Sequence, residues 1–213
     1  DFLLMWDNAY CVHEFDGDFV PFADILSECE KYGNADMVFE FASTSKITLP
    51  GAGVACFACS EANMDYMTEL IGIQAISFDK MNQLRHAKYL QSKEHTLALM
   101  KEHARILKPK FDMVVSTLER EIAPLGIAAW HKPKGGYFVS VNTSPGLAKR
   151  TLALCKEAGV VMTSAGATYP YGHDPADSNI RVAPSLPPVE ELEQAMAVFC
   201  CCLKLAALEK SKK

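Results

Sequence analysis

Short apolar runs with strand character alternate with helical segments over the first third of the chain, and this alternation strongly restricts its fold. Strands are predicted at 2–6, 37–42 and 54–59, and helices near 21–32 and 61–71. Alternating strands and helices build a mostly parallel sheet with helices on its faces. The sequence therefore predicts an α/β fold of the α/β/α type, in which the apolar strands 2–6 and 54–59 are buried.

The second half of the chain has a different pattern. Apolar residues recur at three- and four-residue steps from about Ser92 to Pro124, which is typical of one long helix, and Pro109 is expected to kink it. Further helices are predicted at 145–158 and 188–208, and short strands at 127–130, 137–141, 160–163 and 179–183. We therefore predict a first domain over residues 1–105 and a small α+β domain over residues 106–213.

The composition argues against several classes of function. The net charge is −5 and the sequence has no cluster of Lys and Arg, so no nucleic-acid partner is expected. The sequence contains no run of eighteen or more apolar residues, so it predicts no membrane helix. Eight cysteines include one C-x-x-C pair, Cys56 and Cys59, without a second pair at zinc spacing. The sequence thus predicts no metal site and a reducing, cytoplasmic location.

The segment around Lys46 carries the most specific chemistry. Lys46 follows the strand 37–42 and stands between hydroxyl residues, Ser43 and Ser45, and a glycine-rich turn at 51–53. A lysine amine forms a Schiff base with a carbonyl group, while hydroxyls and backbone N–H groups donate to a phosphate. This combination predicts a site for a phosphorylated aldehyde.

Three other residues fit the same site. Asp7 follows the apolar strand 2–6, at the end of the strand where ligands bind in open α/β sheets. Its carboxylate can pair with a pyridinium nitrogen, and Tyr10 can hydrogen-bond the phenolic oxygen of such a ring. Arg181 is a lone cation in the apolar strand 179–183 and is suited to clamp an α-carboxylate through two hydrogen bonds.

In this order, the motifs Asp7-x-x-Tyr10, Ser43-x-x-Lys46 and Arg181 resemble the second half of the fold-type I pyridoxal-phosphate (PLP) aminotransferases. Five segments are similar in amino-acid sequence to members of the bacterial aspartate aminotransferase subgroup. These segments are DNAYCVHEF at 7–15, STSKITLPGAG at 43–53, DKMNQLRH at 79–86, GGYF at 135–138 and RVAPSLPPVEEL at 181–192. The resemblance covers essentially the whole chain. It implies the C-terminal part of the large PLP-binding domain followed by the small domain.

The resemblance also implies a role for each motif residue. Lys46 would form the Schiff base and shuttle a proton, Asp7 would hold the pyridine nitrogen, and Tyr10 would hold the ring oxygen. Ser43 and Ser45 would bind the phosphate, and Arg181 the substrate carboxylate. The implied enzyme is a PLP-dependent transaminase that uses aspartate or glutamate with a 2-oxo acid.

Two departures from the family pattern matter. Better-known members have a phosphate-binding arginine in the turn after the lysine, whereas this chain has Ala52-Gly53-Val54. Such aminotransferases are also about twice as long. The absent half would carry the glycine-rich phosphate loop, the aromatic residue that stacks on the ring and an asparagine beside the ring hydroxyl. The chain alone is therefore expected to be catalytically incomplete, with the remainder either a second chain, removed by cleavage or left out of this numbering.

The family further implies a homodimer whose site is completed across the interface. The block at 79–86 lies about where such enzymes place a segment that reaches the other subunit, so Lys80 and Arg85 are candidates for a distal substrate carboxylate or for the phosphate. Solvated charges at the start of a helix are the competing interpretation. His86 is expected to be solvated. His13 follows Tyr10 by three residues and is a candidate to touch the cofactor pocket, but a surface or hydrogen-bonded structural histidine is the favoured interpretation.

Two alternatives to a transaminase stay open. Some GntR-type transcriptional regulators carry an aminotransferase-like domain that binds PLP as an effector module. A PLP-dependent lyase or decarboxylase of the same fold would use the same residues, and only analysis of its products would distinguish it.

Overall fold

The structure is a computed structural model that describes residues 2–15, 17 and 19–212. The chain forms two compact units, one that ends at Glu102 and one that begins at His103. Their identity with a large and a small domain stays a prediction.

A three-stranded sheet organises the first unit. Its strands are β1 (Leu4–Asp7), β2 (Val38–Ser43) and β3 (Ala55–Ala58), in that order across the sheet. Strands β1 and β2 are parallel, and they are joined by a long connection that contains a helix. Strands β2 and β3 are antiparallel because the loop 44–54 between them is too short for a crossover, which needs about a dozen residues or more.

The helices of the first unit begin at polar caps that the sequence supplies. They are α1 (Ile25–Lys31), α2 (Glu61–Gln74) and α3 (Lys80–Leu90). The side chains of Asp24, Ser60 and Asp79 each accept a hydrogen bond from a backbone N–H in the first turn of the helix that follows. A fourth helix, α4 (Lys93–Glu121), continues across Pro109 into the second unit.

The expected burial of β1 and β3 is wrong for this chain. Phe2 is 68% exposed, Met5 is 71% exposed and Cys56 is exposed as well. Helix α2 has no buried residue. A three-stranded sheet presents two faces, and in the part of the chain that the structure describes nothing covers these side chains closely enough to bury them.

The second unit contains an antiparallel sheet and the main apolar core. Strands β4 (Ala128–Trp130), β5 (Val139–Thr143) and β6 (Asn179–Val182) lie in that order, and helices α5 (Ala148–Glu157) and α6 (Val189–Ser211) accompany them. Along β5, buried residues alternate with exposed ones, as one covered sheet face requires. The core includes Phe111, Leu118, Val141, Ile180, Met196, Phe199 and Leu203.

The strand predicted at 160–163 is absent from the described structure. Val160 instead donates its backbone N–H to the carbonyl of Cys155 at the end of α5, and Val161 is 82% exposed. An apolar run alone does not make a strand, because a strand also needs a neighbour that pairs with its backbone.

Candidate active site

The pairing of β1 with β2 brings two candidate groups to one edge of the sheet. Asp7 lies opposite Phe41 in the parallel register, and Ser43 stands two residues farther along β2. Both strands end at this edge, where ligands bind in α/β sheets. One Asp7 carboxylate oxygen accepts the backbone N–H of Ala9 at 3.0 Å. This turn starts the segment that leads to Tyr10.

Lys46 lies in a single helical turn directly after β2. The carbonyl of Thr44 accepts the backbone N–H groups of Ile47 at 2.9 Å and Thr48 at 2.8 Å, and Lys46 stands inside this turn. Its Nζ atom lies 5.5 Å from the centre of the Tyr10 ring. The structure thus brings together the lysine and the tyrosine that the sequence analysis selected.

Two hydroxyl groups and a close backbone approach lie beside the lysine. Ser43 Oγ donates to Ser45 Oγ at 3.1 Å and accepts the backbone N–H of Ser45 at 3.3 Å. A Cβ atom built on Gly53 would lie 3.1 Å from Thr44 Oγ1 and 3.2 Å from the nitrogen of Ser45. Glycine at 53 therefore allows the turn to press against the serine that is a candidate phosphate ligand.

His13 is a member of this cluster that the sequence analysis did not select. The residue is only 4% exposed, and its ring meets the Tyr10 ring edge-on at 6.2 Å. Its Nδ1 lies 2.7 Å from the carbonyl oxygen of Cys11, and its Nε2 lies 3.3 Å from that of Lys46. Its burial contradicts a surface position, its contacts fit a hydrogen-bonded structural histidine, and a contact with the cofactor pocket stays a prediction. Burial raises the pKa of the Cys11 thiol, which is therefore neutral at pH 7.

Helix α3 contributes Asn82 and His86 to the same region. His86 Nε2 lies 2.9 Å from Thr48 Oγ1, so the expectation that His86 is solvated is wrong. The side-chain nitrogen of Asn82 donates to the carbonyl of Ala52. Lys80 and Arg85 are exposed on the same helix, and their assignment to a carboxylate or phosphate stays a prediction.

Arg181 lies in the second unit, on strand β6 opposite Ser140. Its guanidinium carbon lies 4.5 Å from the centre of the Phe138 ring, a cation–π arrangement. Its buried Nε–H has no hydrogen-bond partner among the described residues. A buried donor without an acceptor costs about 1–3 kcal/mol, so this group is suited to an anionic ligand. Phe138 is therefore a further candidate site residue, and its place in the GGYF block was the signal for it.

A cavity of about 260 Å³ lies beside Arg181, within the second unit. Its lining is mostly apolar and includes Val160, Met162, Leu192 and Phe199. An apolar lining strengthens the attraction between a guanidinium and a carboxylate because it lowers the local dielectric constant.

The described residues contain neither a helix suited to a membrane nor a cluster suited to a metal ion. Across residues 2–15, 17 and 19–212, no helix is long and apolar enough to cross a membrane. In the same stretch of chain, no group of three or more His, Cys, Asp or Glu residues has the geometry of a metal site.

The chain is similar to proteins of one known family. A profile of the family described as "Aspartate amino-transferase" matches residues 1–213. The aspartate aminotransferase of Corynebacterium glutamicum is 47% identical over 209 residues, which cover 98% of this chain and 48% of the relative. The crystal structure of an aspartate transaminase from that organism matches with a TM-score of 0.96 at 47% identity, covering 99% of this chain and 50% of that chain.

A more distant structure shows the same fold. LysN, an α-aminoadipate aminotransferase from Thermus thermophilus complexed with N-(5'-phosphopyridoxyl)-L-leucine, matches with a TM-score of 0.78 at 19% identity, covering 97% of this chain and 51% of that chain. The α/β fold that the sequence predicts is thus confirmed, as is the resemblance to aminotransferases. The chain spans about half the length of the relatives it matches. Because the profile covers its whole length and a relative shares 47% of its residues, the chain belongs to the aspartate aminotransferase family.

Proposed function

We propose that this chain is part of a PLP-dependent aminotransferase that moves an amino group between an amino acid, aspartate or glutamate, and a 2-oxo acid. The observation that carries the proposal is the position of Lys46 Nζ, 5.5 Å from the centre of the Tyr10 ring, in a turn that directly follows the linked hydroxyls of Ser43 and Ser45. Membership of the aspartate aminotransferase family supports the same activity.

The residues present fit PLP. In the first unit, an amine, a phenol, a carboxylate and two hydroxyls lie at or just beyond one sheet edge, and Gly53 leaves room for a close backbone approach. We propose that Lys46 holds the cofactor through its amine, that Asp7 pairs with the ring nitrogen and that Tyr10 donates to the ring oxygen. Ser43 and Ser45 would donate to the phosphate, in place of the arginine that other members have.

Each of these residues then has a defined task in the reaction. The bound cofactor supplies an electron-withdrawing ring that acidifies the Cα–H bond of the substrate. The Asp7 carboxylate would keep the proton on the ring nitrogen, and the Tyr10 hydroxyl would stabilise negative charge on the ring oxygen. The Lys46 amine, once the amino group of the substrate has taken its place on the cofactor, would be free to move the proton from the substrate Cα to C4′ of the cofactor.

Arg181 is the proposed carboxylate ligand. Its Nε–H has no acceptor among the described residues, its guanidinium carbon lies 4.5 Å from the centre of the Phe138 ring, and a guanidinium presents its donors in one plane. A substrate α-carboxylate is a planar acceptor that matches this fork. For a dicarboxylic substrate, we propose Lys80 or Arg85 as the ligand of the distal carboxylate, since both are exposed cations on α3. Either cation could serve the phosphate instead.

Partners of the chain belong to the proposal as well. We propose that the glycine-rich phosphate loop, the stacking aromatic residue and the ring-side asparagine come from a segment equivalent to the rest of the relatives. A homodimer is supported by exposed apolar side chains on α2 and α3, among them Ile73 and Leu84. A cytoplasmic location fits the eight free cysteines, because reducing compartments keep thiols unpaired.

The family match over the whole chain favours an enzyme, and the alternative of a transcriptional regulator gains no support from it. A lyase or decarboxylase differs from a transaminase in its products. The native polypeptide, supplied with PLP, should convert aspartate and 2-oxoglutarate into oxaloacetate and glutamate in equal amounts. Release of carbon dioxide or ammonia without glutamate would replace the transaminase by one of these other enzymes.

A further inference from the structure

Helix α3 holds the loop 44–54, here called the lysine loop, through two polar side chains that have no place in the proposed chemistry. The side-chain nitrogen of Asn82 donates to the carbonyl oxygens of Ala52 at 3.0 Å and Gly53 at 3.3 Å. One amide group thus binds two consecutive carbonyls at the glycine turn.

His86 binds the other arm of the same loop. Its Nδ1 lies 2.9 Å from the carbonyl oxygen of Asn82, and its Nε2 lies 2.9 Å from Thr48 Oγ1. A carbonyl oxygen only accepts, so Nδ1 carries a proton. Thr48 Oγ1 lies 2.9 Å from Nε2 and 3.1 Å from the carbonyl oxygen of Thr44, so this hydroxyl joins the ring to the start of the loop.

The lysine loop is closed at its base by two hydrogen bonds of its own, and the hydrogen bonds from α3 are made at other points of the loop. At its base, the Thr44 backbone N–H donates to the Val54 carbonyl, and the Val54 N–H donates to Thr44 Oγ1. Thr48 stands two residues after Lys46, and Gly53 lies so close to Ser45 that an added Cβ would come within 3.2 Å of the Ser45 nitrogen. Asn82 and His86 therefore reach the two parts of the loop that support the lysine and the serine.

The first turn of α3 is held by the N-terminal cap of the helix. The Asp79 carboxylate accepts the backbone N–H of Asn82 at 2.9 Å and caps the helix. The backbone of Asn82 is consequently held by a hydrogen bond of its own, which fixes the point from which the side chain extends. The lysine loop is therefore ordered when the protein folds, and ligand binding does not have to bear the entropic cost of ordering it.

We propose that Asn82 and His86 are positioning residues, which hold the lysine loop in the geometry that binds the cofactor. The inference rests on the proposed function for its purpose, but the ordering of the loop is testable without cofactor. Neither residue touches the reacting groups; each acts through the loop.

The test compares Asn82→Ala and His86→Ala with Gln83→Ala, which alters an exposed residue of the same helical turn. Hydrogen exchange of the Ile47 and Thr48 amides is measured in the native polypeptide freed of cofactor, and PLP affinity is then measured by absorbance. Loss of a hydrogen bond should speed exchange and raise the PLP dissociation constant by about tenfold in each of the two variants. The Gln83→Ala variant should match the wild type.

Two further variants separate positioning from general stability. His86→Gln keeps a polar group near the Nε2 position and should recover most of the affinity. Thr48→Val removes the hydroxyl together with its hydrogen bonds to Thr44, and it should weaken binding at least as much as His86→Ala. The pair Thr48→Val and His86→Ala should be non-additive, because each variant removes the contact between Thr48 and His86. If Asn82→Ala fails to fold, these variants decide the matter.

Exchange and affinity that are unchanged in Asn82→Ala and His86→Ala would overturn the inference. So would an equal loss in Gln83→Ala, since that result would assign the effect to helix α3 as a whole. A wild type that does not bind PLP would contradict the proposed function instead, and the exchange rates would still decide whether Asn82 and His86 order the loop.

Discussion

At the residue scale, Arg181 is a cationic residue on a strand, and the described residues do not provide an acceptor for every one of its N–H donors. The guanidinium carbon lies 4.5 Å from the centre of the Phe138 ring, while Nε–H has no acceptor among the described residues. An anion that binds here removes the cost of that unmet donor, and its binding is strengthened accordingly.

Replacing Arg181 by Ala should therefore lower kcat/KM by roughly a hundredfold, equivalent to the loss of about 3 kcal/mol of transition-state stabilisation. Arg181→Lys should not restore activity, since an ammonium group lacks the planar fork. Steady-state kinetics with aspartate measures both effects. Turnover near that of the wild type in Arg181→Ala would remove this residue from the site.

Phe138 should matter through Arg181. Phe138→Leu keeps an apolar side chain but loses the ring, and we expect KM for the amino acid to rise roughly threefold to tenfold with little change in kcat. Phe138→Tyr keeps the ring and should behave like the wild type. The kinetic comparison of the two variants is the measurement, and similar KM values would show that the ring does not support the guanidinium.

At the element scale, the loop between β2 and β3 is built around close contacts. Gly53 presses against Thr44 and Ser45 so tightly that a methyl group there would force the neighbouring atoms to move by a few tenths of an ångström. The serine hydroxyl and the lysine turn belong to this same loop. A small change in packing should therefore reach the cofactor site.

Gly53→Ala should raise the PLP dissociation constant by about tenfold, since overpacking a tight contact costs about 1–3 kcal/mol. Gly72→Ala is the matched control: an added Cβ there meets no atom within 4 Å, and alanine suits the interior of helix α2. Titration of each variant with PLP, followed by absorbance, gives the comparison. Equal affinities in the two variants would contradict the tight packing at Gly53.

The turn before β6 depends on a buried carboxylate. Asp174 accepts backbone N–H groups from Asn179 at 2.8 Å, Ser178 at 2.7 Å and Ala176 at 3.0 Å. These bonds, led by the one from Asn179, hold the pKa of Asp174 below its ordinary value of 3.8. Because the folded pKa is the lower one, the stabilisation is complete above pH 3.8 and is lost as the pH falls through the folded pKa.

Asp174→Asn should consequently be less stable than the wild type at neutral pH, and the difference should shrink as the pH falls below 3.8. Urea unfolding of the two proteins at a series of pH values gives the difference in the free energy of unfolding. A difference that is constant across this range would show that the Asp174 carboxylate has no depressed pKa.

Local sequence patterns predicted the elements better than their surroundings. Strands β1 and β2 and the motif at Lys46 follow from apolar runs and turn residues, which act over a few positions. The burial of Met5 and Cys56 depends on what covers the sheet, and the roles of Asn82 and His86 depend on a contact between distant segments. Neither can be deduced from spacing, so those interpretations were wrong or missing.

At the scale of the whole molecule, the chain matches about half of each relative and divides into two compact units. The first unit contains the proposed cofactor groups, and the second contains the proposed carboxylate ligand. The apolar side chains exposed on the first unit, such as Phe2 and Ile73, indicate surfaces that a further segment or subunit would cover. The proposed chemistry of the whole molecule depends on Lys46.

Reduction with borohydride tests that claim most directly. The native polypeptide with PLP should absorb visible light and lose that band on reduction, and peptide mapping should then find the phosphopyridoxyl label on Lys46. A label on any other lysine, or no label at all, would contradict the assignment of Lys46 and with it the proposed function.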